Sequence, residues 1–216
     1  MVAACVVLIP VLRRPHRVAP VLASLEGQRA LFIGSPDDHA EHEAIRDAGG
    51  ELLVIDKEPT FGDYARKIQA GFEATDEPLV FLGADDLHFH PGWLDAAVAQ
   101  LDPGIGVVGT NDLGSKRVMA GEHATHSLVT RAYVLEHGTI DQPGQVLHEG
   151  YPHEFVDDEL VATAKSRNAW AFAADSHVEH LHPNWGKAPT DRLYAKQRQR
   201  MARGRTIYRR RQHLWT

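Results

Sequence analysis

A chain of 216 residues with 43% hydrophobic and 24% charged residues has the size and composition of one α/β domain with a substantial core. Its single cysteine, Cys5, excludes an internal disulfide and reads as a small core residue, and the apolar run 2–9 is too short to span a bilayer and has its arginines behind it rather than before it. A cytoplasmic protein without a transmembrane segment is therefore expected, and its net charge of −6 is unevenly spread: residues 1–191 carry 14 basic and 29 acidic residues, a net of −15, followed by nine Lys or Arg and no acid from Arg192 to Arg211.

The elements then follow a regular order. An apolar, β-branched run over 3–9 predicts a first strand. Pro15 can open a helix over about 16–26, with Val18, Val21, Leu22 and Leu25 on one face. A second short strand over 30–33 ends in the turn cluster 34–38, which leads into a helix reaching about Ala48. Gly49 and Gly50 stop that helix, and 51–55 is a third strand. Residues 61–74 place Tyr64, Ile68 and Phe72 at helical spacing. A strand over 78–86, a helix over 91–101 and a strand over 105–109 complete this half. Strands alternating with helices of ten to fifteen residues mean βαβ units and a mostly parallel sheet.

After Thr110 the pattern loosens. A strand over 126–130, a short helix over 131–137, a Gly/Pro-rich loop over 138–153 and an amphipathic helix over 156–167 are expected. A strand over 169–173, a histidine-dense segment over 177–183 and a long basic helix over 189–213 follow. The basic tail suits an anionic partner such as nucleic acid, a phosphorylated acceptor or a membrane surface. It equally suits docking on the acidic body of its own protomer or of a neighbour in a homo-oligomer.

The stretch 78–86 carries the most chemistry. Leu79 to Leu82 read as a strand buried on both faces, which breaks through Gly83 and Ala84 onto adjacent carboxylates, Asp85 and Asp86. Ligands of open α/β sheets sit at the carboxyl ends of strands, where two repelling acids make sense around a cation that also touches a phosphate. A solvated strand-to-helix turn explains the same residues.

Three segments in order resemble the GT-A fold glycosyltransferases, closest to the inverting family 2 type. Residues 9–15, Ile-Pro-Val-Leu-Arg-Arg-Pro, are similar to the family's first strand and loop. Phe81-Leu82-Gly83-Ala84-Asp85-Asp86 is similar to its Asp-X-Asp metal segment, with Gly83 in place of the first aspartate. Residues 155–160, Phe-Val-Asp-Asp-Glu-Leu, are similar to the acidic pair supplying the catalytic base, and Val178-Glu179-His180 fits the strand and histidine that often close the core. The resemblance implies a Rossmann-like, mostly parallel sheet flanked by helices with a C-terminal basic helix. It makes the chain one domain over 1–216: a nucleotide-binding half over about 1–110, an acceptor and catalytic half over 111–188, and the basic helix over 189–213. It implies transfer of a sugar from a nucleoside diphosphate, UDP above all, to an acceptor hydroxyl with inversion.

The resemblance also distributes roles. Asp85 and His180 would hold Mn²⁺ or Mg²⁺, with His182 sharing the face of His180 as an alternative or additional ligand. Pro10, Val11, Arg14, Asp56, Lys67, Ala84, Asp85 and Asp86 would contact the nucleotide sugar. Asp158 would take the acceptor proton, with Asp157 and Glu159 as its competitors. As a first-turn acid, Asp158 is also accounted for by the helix dipole alone. Trp93 and Trp185 are candidate sugar platforms, Trp93 with core packing as its alternative. A nucleotidyltransferase and a binding module without turnover are the competing functions. The former lacks a glycine in residues 10–17, and the latter draws on Gly83.

Overall fold

The computed structural model describes residues 4–57, 59–195 and 197–216; Ala3 of the expected first strand and Lys196 of the expected tail helix lie outside them. Among the described residues eight strands form one sheet: β1 (Cys5–Pro10), β2 (Arg29–Gly34), β3 (Glu51–Val54), β4 (Leu79–Leu82), β5 (Leu87–Phe89), β6 (Val107–Asn111), β7 (Ser127–Thr130) and β8 (Trp170–His180). Their spatial order is β3-β2-β1-β4-β7-β6-β8-β5. The pairs β2–β3, β1–β2, β1–β4 and β6–β8 are parallel, whereas β7 runs antiparallel to β4 and β6, and β5 antiparallel to β8.

Both faces of the sheet are covered, which is why the central strands read as unbroken apolar runs. In β1, Cys5, Val7 and Ile9 point into one core with Phe32 and Phe81, under α1 (Val18–Ser24), α2 (His39–Asp47) and, further along, α4 (Trp93–Val98). Val6 and Leu8 point into the other, with Leu31, Ile33, Val80 and Leu82, against α3 (Asp63–Glu73) and the helices that follow the second half of the sheet. The Cys5 thiol is sealed in the first core, and burial, with the Glu77 charge adding to it, pushes its pKa up to about 12. Trp93 packs edge-on against Phe81 and is 2% exposed, so it is a core residue and not a sugar platform.

The sheet departs from expectation at β8 and at β5. The expected strand over 169–173 and the histidine segment are one strand, β8, which bulges between its pairings Thr110↔Ala173 and Asn111↔His177. Residues 87–89, expected outside any strand, form β5 on its edge. Beyond β6 lie α5 (Lys116–Met119), α6 (Arg131–Glu136) and α7 (Val156–Ser166).

The basic tail forms α8 (Arg192–Ala195) and α9 (Gln197–Arg211) and docks on its own body. Arg200 pairs with Glu154 at 2.9 Å, and Arg211 pairs with Asp141 and Glu159 at 2.8 Å each. Between them Gly204 lies so close to the Glu154 carbonyl that an added Cβ would stand 2.5 Å from it. Arg198, Arg203, Arg205, Arg209 and Arg210 stay exposed. Among the described residues no helix is long and apolar enough to cross a membrane.

Candidate active site

The carboxyl ends of β1, β4, β6 and β8 and the amino end of antiparallel β7 meet at one edge of the sheet, because parallel strands deliver their ends to a common side. Asp85 and Asp86 follow β4, and both are buried, at 7% and 6% exposure. The loop after β1 lays two guanidinium groups on them. Arg14 Nη1 is 3.1 Å from Asp85 Oδ1 and 3.9 Å from Asp86 Oδ2, and Arg17 Nη1 is 3.4 Å from Asp86 Oδ2. His180, at the end of β8, stands 3.3 Å from Asp86 Oδ2.

The pair divides its charge. Burial raises the pKa of Asp85, the neighbouring Asp86 charge adds to this, and Arg14 and Arg17 pull against it. Burial also opposes ionisation of Asp86, but the His180 charge and hydrogen bonds from His180 and Tyr194 outweigh it and hold Asp86 well below the usual carboxylate range. His180 is raised in return, the Asp86 charge overcoming burial. The expected division of labour is thereby changed. Asp86, rather than Asp85, faces His180; Arg14 lies nearer Asp85, and Arg17 nearer Asp86.

Two tail residues close over this corner. Asp191 accepts from Arg14 Nε at 2.7 Å and Nη2 at 3.1 Å. Tyr194 donates its hydroxyl to Asp86 Oδ2 at 2.6 Å, and its ring lies 4.3 Å below the Arg14 guanidinium. His182 is adjacent to His180, with ring centroids 4.9 Å apart, but its Nδ1 accepts from the Asn184 amide and its Nε2 meets Gln197.

His126, immediately before β7, forms the floor. Its Nδ1 lies 3.0 Å from the Leu82 carbonyl oxygen, while Nε2 is buried without a hydrogen-bond partner among the described residues. Burial, with the His180 charge behind it, lowers its pKa to about 4, so the ring is neutral.

A second acidic group opens α7. Asp157 faces His123 Nε2 at 3.2 Å, and Asp158 Oδ1 accepts both terminal nitrogens of Arg117 at 3.2 Å. His123, Asp157 and Asp158 each bring one atom within 4.8 Å of the others, and these pairings satisfy them. Burial opposes the Asp157 charge but its hydrogen bond to His123 prevails and lowers its pKa, whereas burial and the Asp157 charge raise that of Asp158. Of the two, Asp158 is the stronger base. Glu159 is turned away, held by Tyr151 at 2.7 Å and by Arg211.

Backbone strain gathers around these groups. Arg13 (φ 54°), Leu113 (φ 53°) and Phe155 (φ 73°) adopt left-handed conformations unusual for bulky side chains, beside Arg14, at the end of β6 and just before Asp157.

Other expected site residues fall elsewhere. Lys67, expected on phosphate, is fully buried, its ammonium donating to the Val11 carbonyl at 2.7 Å and pairing with Asp63 at 2.9 Å. Val11 also donates its amide to Ile33, so both its polar backbone groups are used and it contributes shape. Pro10 ends β1 beside Ile33, and Ala84 leads into the aspartates. Asp56 is exposed after edge strand β3, three strands from Asp85. Trp185 is 39% exposed beside His182, with ring centroids 6.2 Å apart.

No protein-family model matches the sequence, and no match was found among curated proteins. Solved structures are similar in fold. Glucosyl-3-phosphoglycerate synthase from Mycobacterium tuberculosis, in complex with Mn²⁺, uridine diphosphate and glucosyl-3-phosphoglycerate, aligns with a TM-score of 0.62 at 16% identity, covering 94% of this chain and 78% of that one. The same enzyme with Mg²⁺ and uridine diphosphate gives 0.61 at 16% identity, covering 94% and 78%. The mannosyltransferase PcManGT from Pyrobaculum calidifontis, in complex with GDP-Man and Mn²⁺, gives 0.62 at 14% identity, covering 93% of this chain and 61% of that one. The chain has the GT-A glycosyltransferase fold.

Proposed function

We propose that this protein is a metal-dependent glycosyltransferase that moves a sugar from a nucleoside-diphosphate donor to an acceptor hydroxyl. The observation that carries the reading is the juxtaposition of Asp85, Asp86 and His180 with Arg14 and Arg17 at the carboxyl edge of a GT-A sheet. The fold neighbours bind UDP or GDP-Man with Mn²⁺ or Mg²⁺. The donor types fit such an ion, carboxylate oxygens and an imidazole nitrogen, and the Arg14 and Arg17 guanidinium groups now paired with those carboxylates would turn to the diphosphate oxygens when the ion is bound.

Asp85, Asp86 and His180 are the residues that would hold Mn²⁺ or Mg²⁺, whose charge offsets that gathering on the leaving diphosphate. Arg14 and Arg17 would pair with the anionic oxygens of the diphosphate, and a guanidinium fork can take two of them at once. Asp158 takes the proton from the acceptor hydroxyl, the role for which its raised pKa fits it better than Asp157. Attack assisted by Asp158 on the face opposite the diphosphate gives inversion at the anomeric carbon. UDP is the favoured donor nucleotide. The exposed arginines of α9 favour an acceptor bearing negative charge.

A thermal-shift panel of UDP-, GDP- and dTDP-sugars with and without Mn²⁺ tests this. A nucleotide-dependent rise in melting temperature that requires Mn²⁺ is expected. A flat response across the panel would overturn the reading in favour of a binding module of another kind.

A further inference from the structure

The metal corner has a gap on β4 and an unused atom on β7. Gly83 ends the run that presents Asp85 and Asp86 and offers no side chain. An added Cβ there would stand 3.0 Å from the Leu8 carbonyl oxygen and 3.2 Å from Val7 Cγ1, so close packing against β1 keeps the position small.

The antiparallel partner strand supplies what Gly83 lacks. The β4–β7 ladder pairs Leu79 with Thr130, Val80 with Val129 and Phe81 with Leu128. Two further steps along the same register set His126 opposite Gly83. From the other side the Thr110 amide donates to the His126 carbonyl at 3.2 Å, which fixes its backbone.

The ring is held as firmly as the backbone. A carbonyl oxygen only accepts, so the 3.0 Å contact to Leu82 puts the proton on Nδ1 and leaves Nε2 with a bare lone pair. That nitrogen is buried, without a hydrogen-bond partner among the described residues, in a side chain 7% exposed. An unmatched buried acceptor is a liability unless a ligand completes it. Its surroundings name the ligand class: the His180 ring lies 5.2 Å away edge-on, and His180 is hydrogen-bonded to Asp86.

We infer that His126 is a further donor to the divalent cation of the proposed donor site, its Nε2 delivered from β7 where β4 has only Gly83. The inference rests on the glycosyltransferase reading. Its chemical consequence is a site with two imidazoles beside the carboxylates, which favours Mn²⁺ over Mg²⁺ because Mg²⁺ prefers oxygen alone.

The test is pulsed electron paramagnetic resonance on the full chain with Mn²⁺ and UDP, counting directly coupled imidazole nitrogens. Two are expected in the wild type, and one each in His126→Ala and His180→Ala. Titration of Mn²⁺ should show His126→Ala binding roughly tenfold or more weakly, with a smaller loss for Mg²⁺. Circular dichroism checks that the variant folds; if it does not, the wild-type nitrogen count decides. One nitrogen in the wild type, or two retained in His126→Ala, would overturn the assignment while leaving the donor site intact. If the wild type takes up no Mn²⁺ with or without UDP, the donor-site reading falls and this inference with it.

Discussion

Asp191 grips Arg14 through two hydrogen bonds, of 2.7 and 3.1 Å, across most of the length of the chain. On the proposed reading, a carboxylate seated on two nitrogens of the Arg14 guanidinium competes with the donor diphosphate for that fork. The pair is partly solvated on the Asp191 side, at 35% exposure, which limits its worth. Asp191→Ala should therefore tighten UDP or GDP binding by roughly two- to fivefold, read by isothermal titration. Weaker binding in that variant would instead assign Asp191 to the bound state.

Asp158 differs from Asp157 by its raised pKa and by its contact with Arg117. If Asp158 has the proposed base role, Asp158→Asn should lower kcat by about 10²–10⁴ while leaving the donor KM nearly unchanged, because that role moves a proton and does not bind the nucleotide. Proton NMR of the product formed by the wild type reads the anomeric configuration, with inversion the expected outcome.

His123 and Asp157 stabilise each other, with opposite pH limits. The raised His123 pKa contributes stability that is full below its ordinary value of 6.5 and is lost as pH climbs through the folded value. The lowered Asp157 pKa contributes stability that is full above 3.8 and is lost as pH falls through its folded value. The melting-temperature difference between wild type and His123→Gln should thus be largest between about pH 4 and 6.5 and shrink above that window. For a half-buried pair worth about 1 kcal/mol, the difference is about 2–4 °C in a chain of this size.

Gly204 lets α9 approach the Glu154 carbonyl. Gly204→Val should lift that helix from the body and cost about 1–3 kcal/mol, read as a lower melting temperature by calorimetry. Gly204→Ala should cost less, since its single methyl asks for a smaller displacement.

The first half of the fold was readable because its strands are buried on both faces and punctuated by turn residues such as Gly49-Gly50. The long strand β8 was not, because a bulge interrupts its pairing and splits the apolar pattern into two short pieces. The candidates Asp85, Asp86, His180 and Asp158 were singled out through local motifs. Arg17, His123, Asp191 and Tyr194 join the candidate site through contacts between distant segments, and no spacing in the sequence announces such convergence. His126 left one faint sign, a polar ring at the head of the buried strand Leu128-Val129. Lys67 misled because its sequence neighbourhood is charged, whereas helix α3 turns it inward under the β1 loop.

The sealed thiol of Cys5 makes the native molecule inert to maleimides at neutral pH, since the reactive thiolate is scarce and enclosed. A fluorophore or spin label attached to one engineered cysteine, for instance Arg198→Cys on the outer side of α9, would consequently report from a single known address. Movement of the tail against the sheet edge can then be followed in solution without first stripping the background.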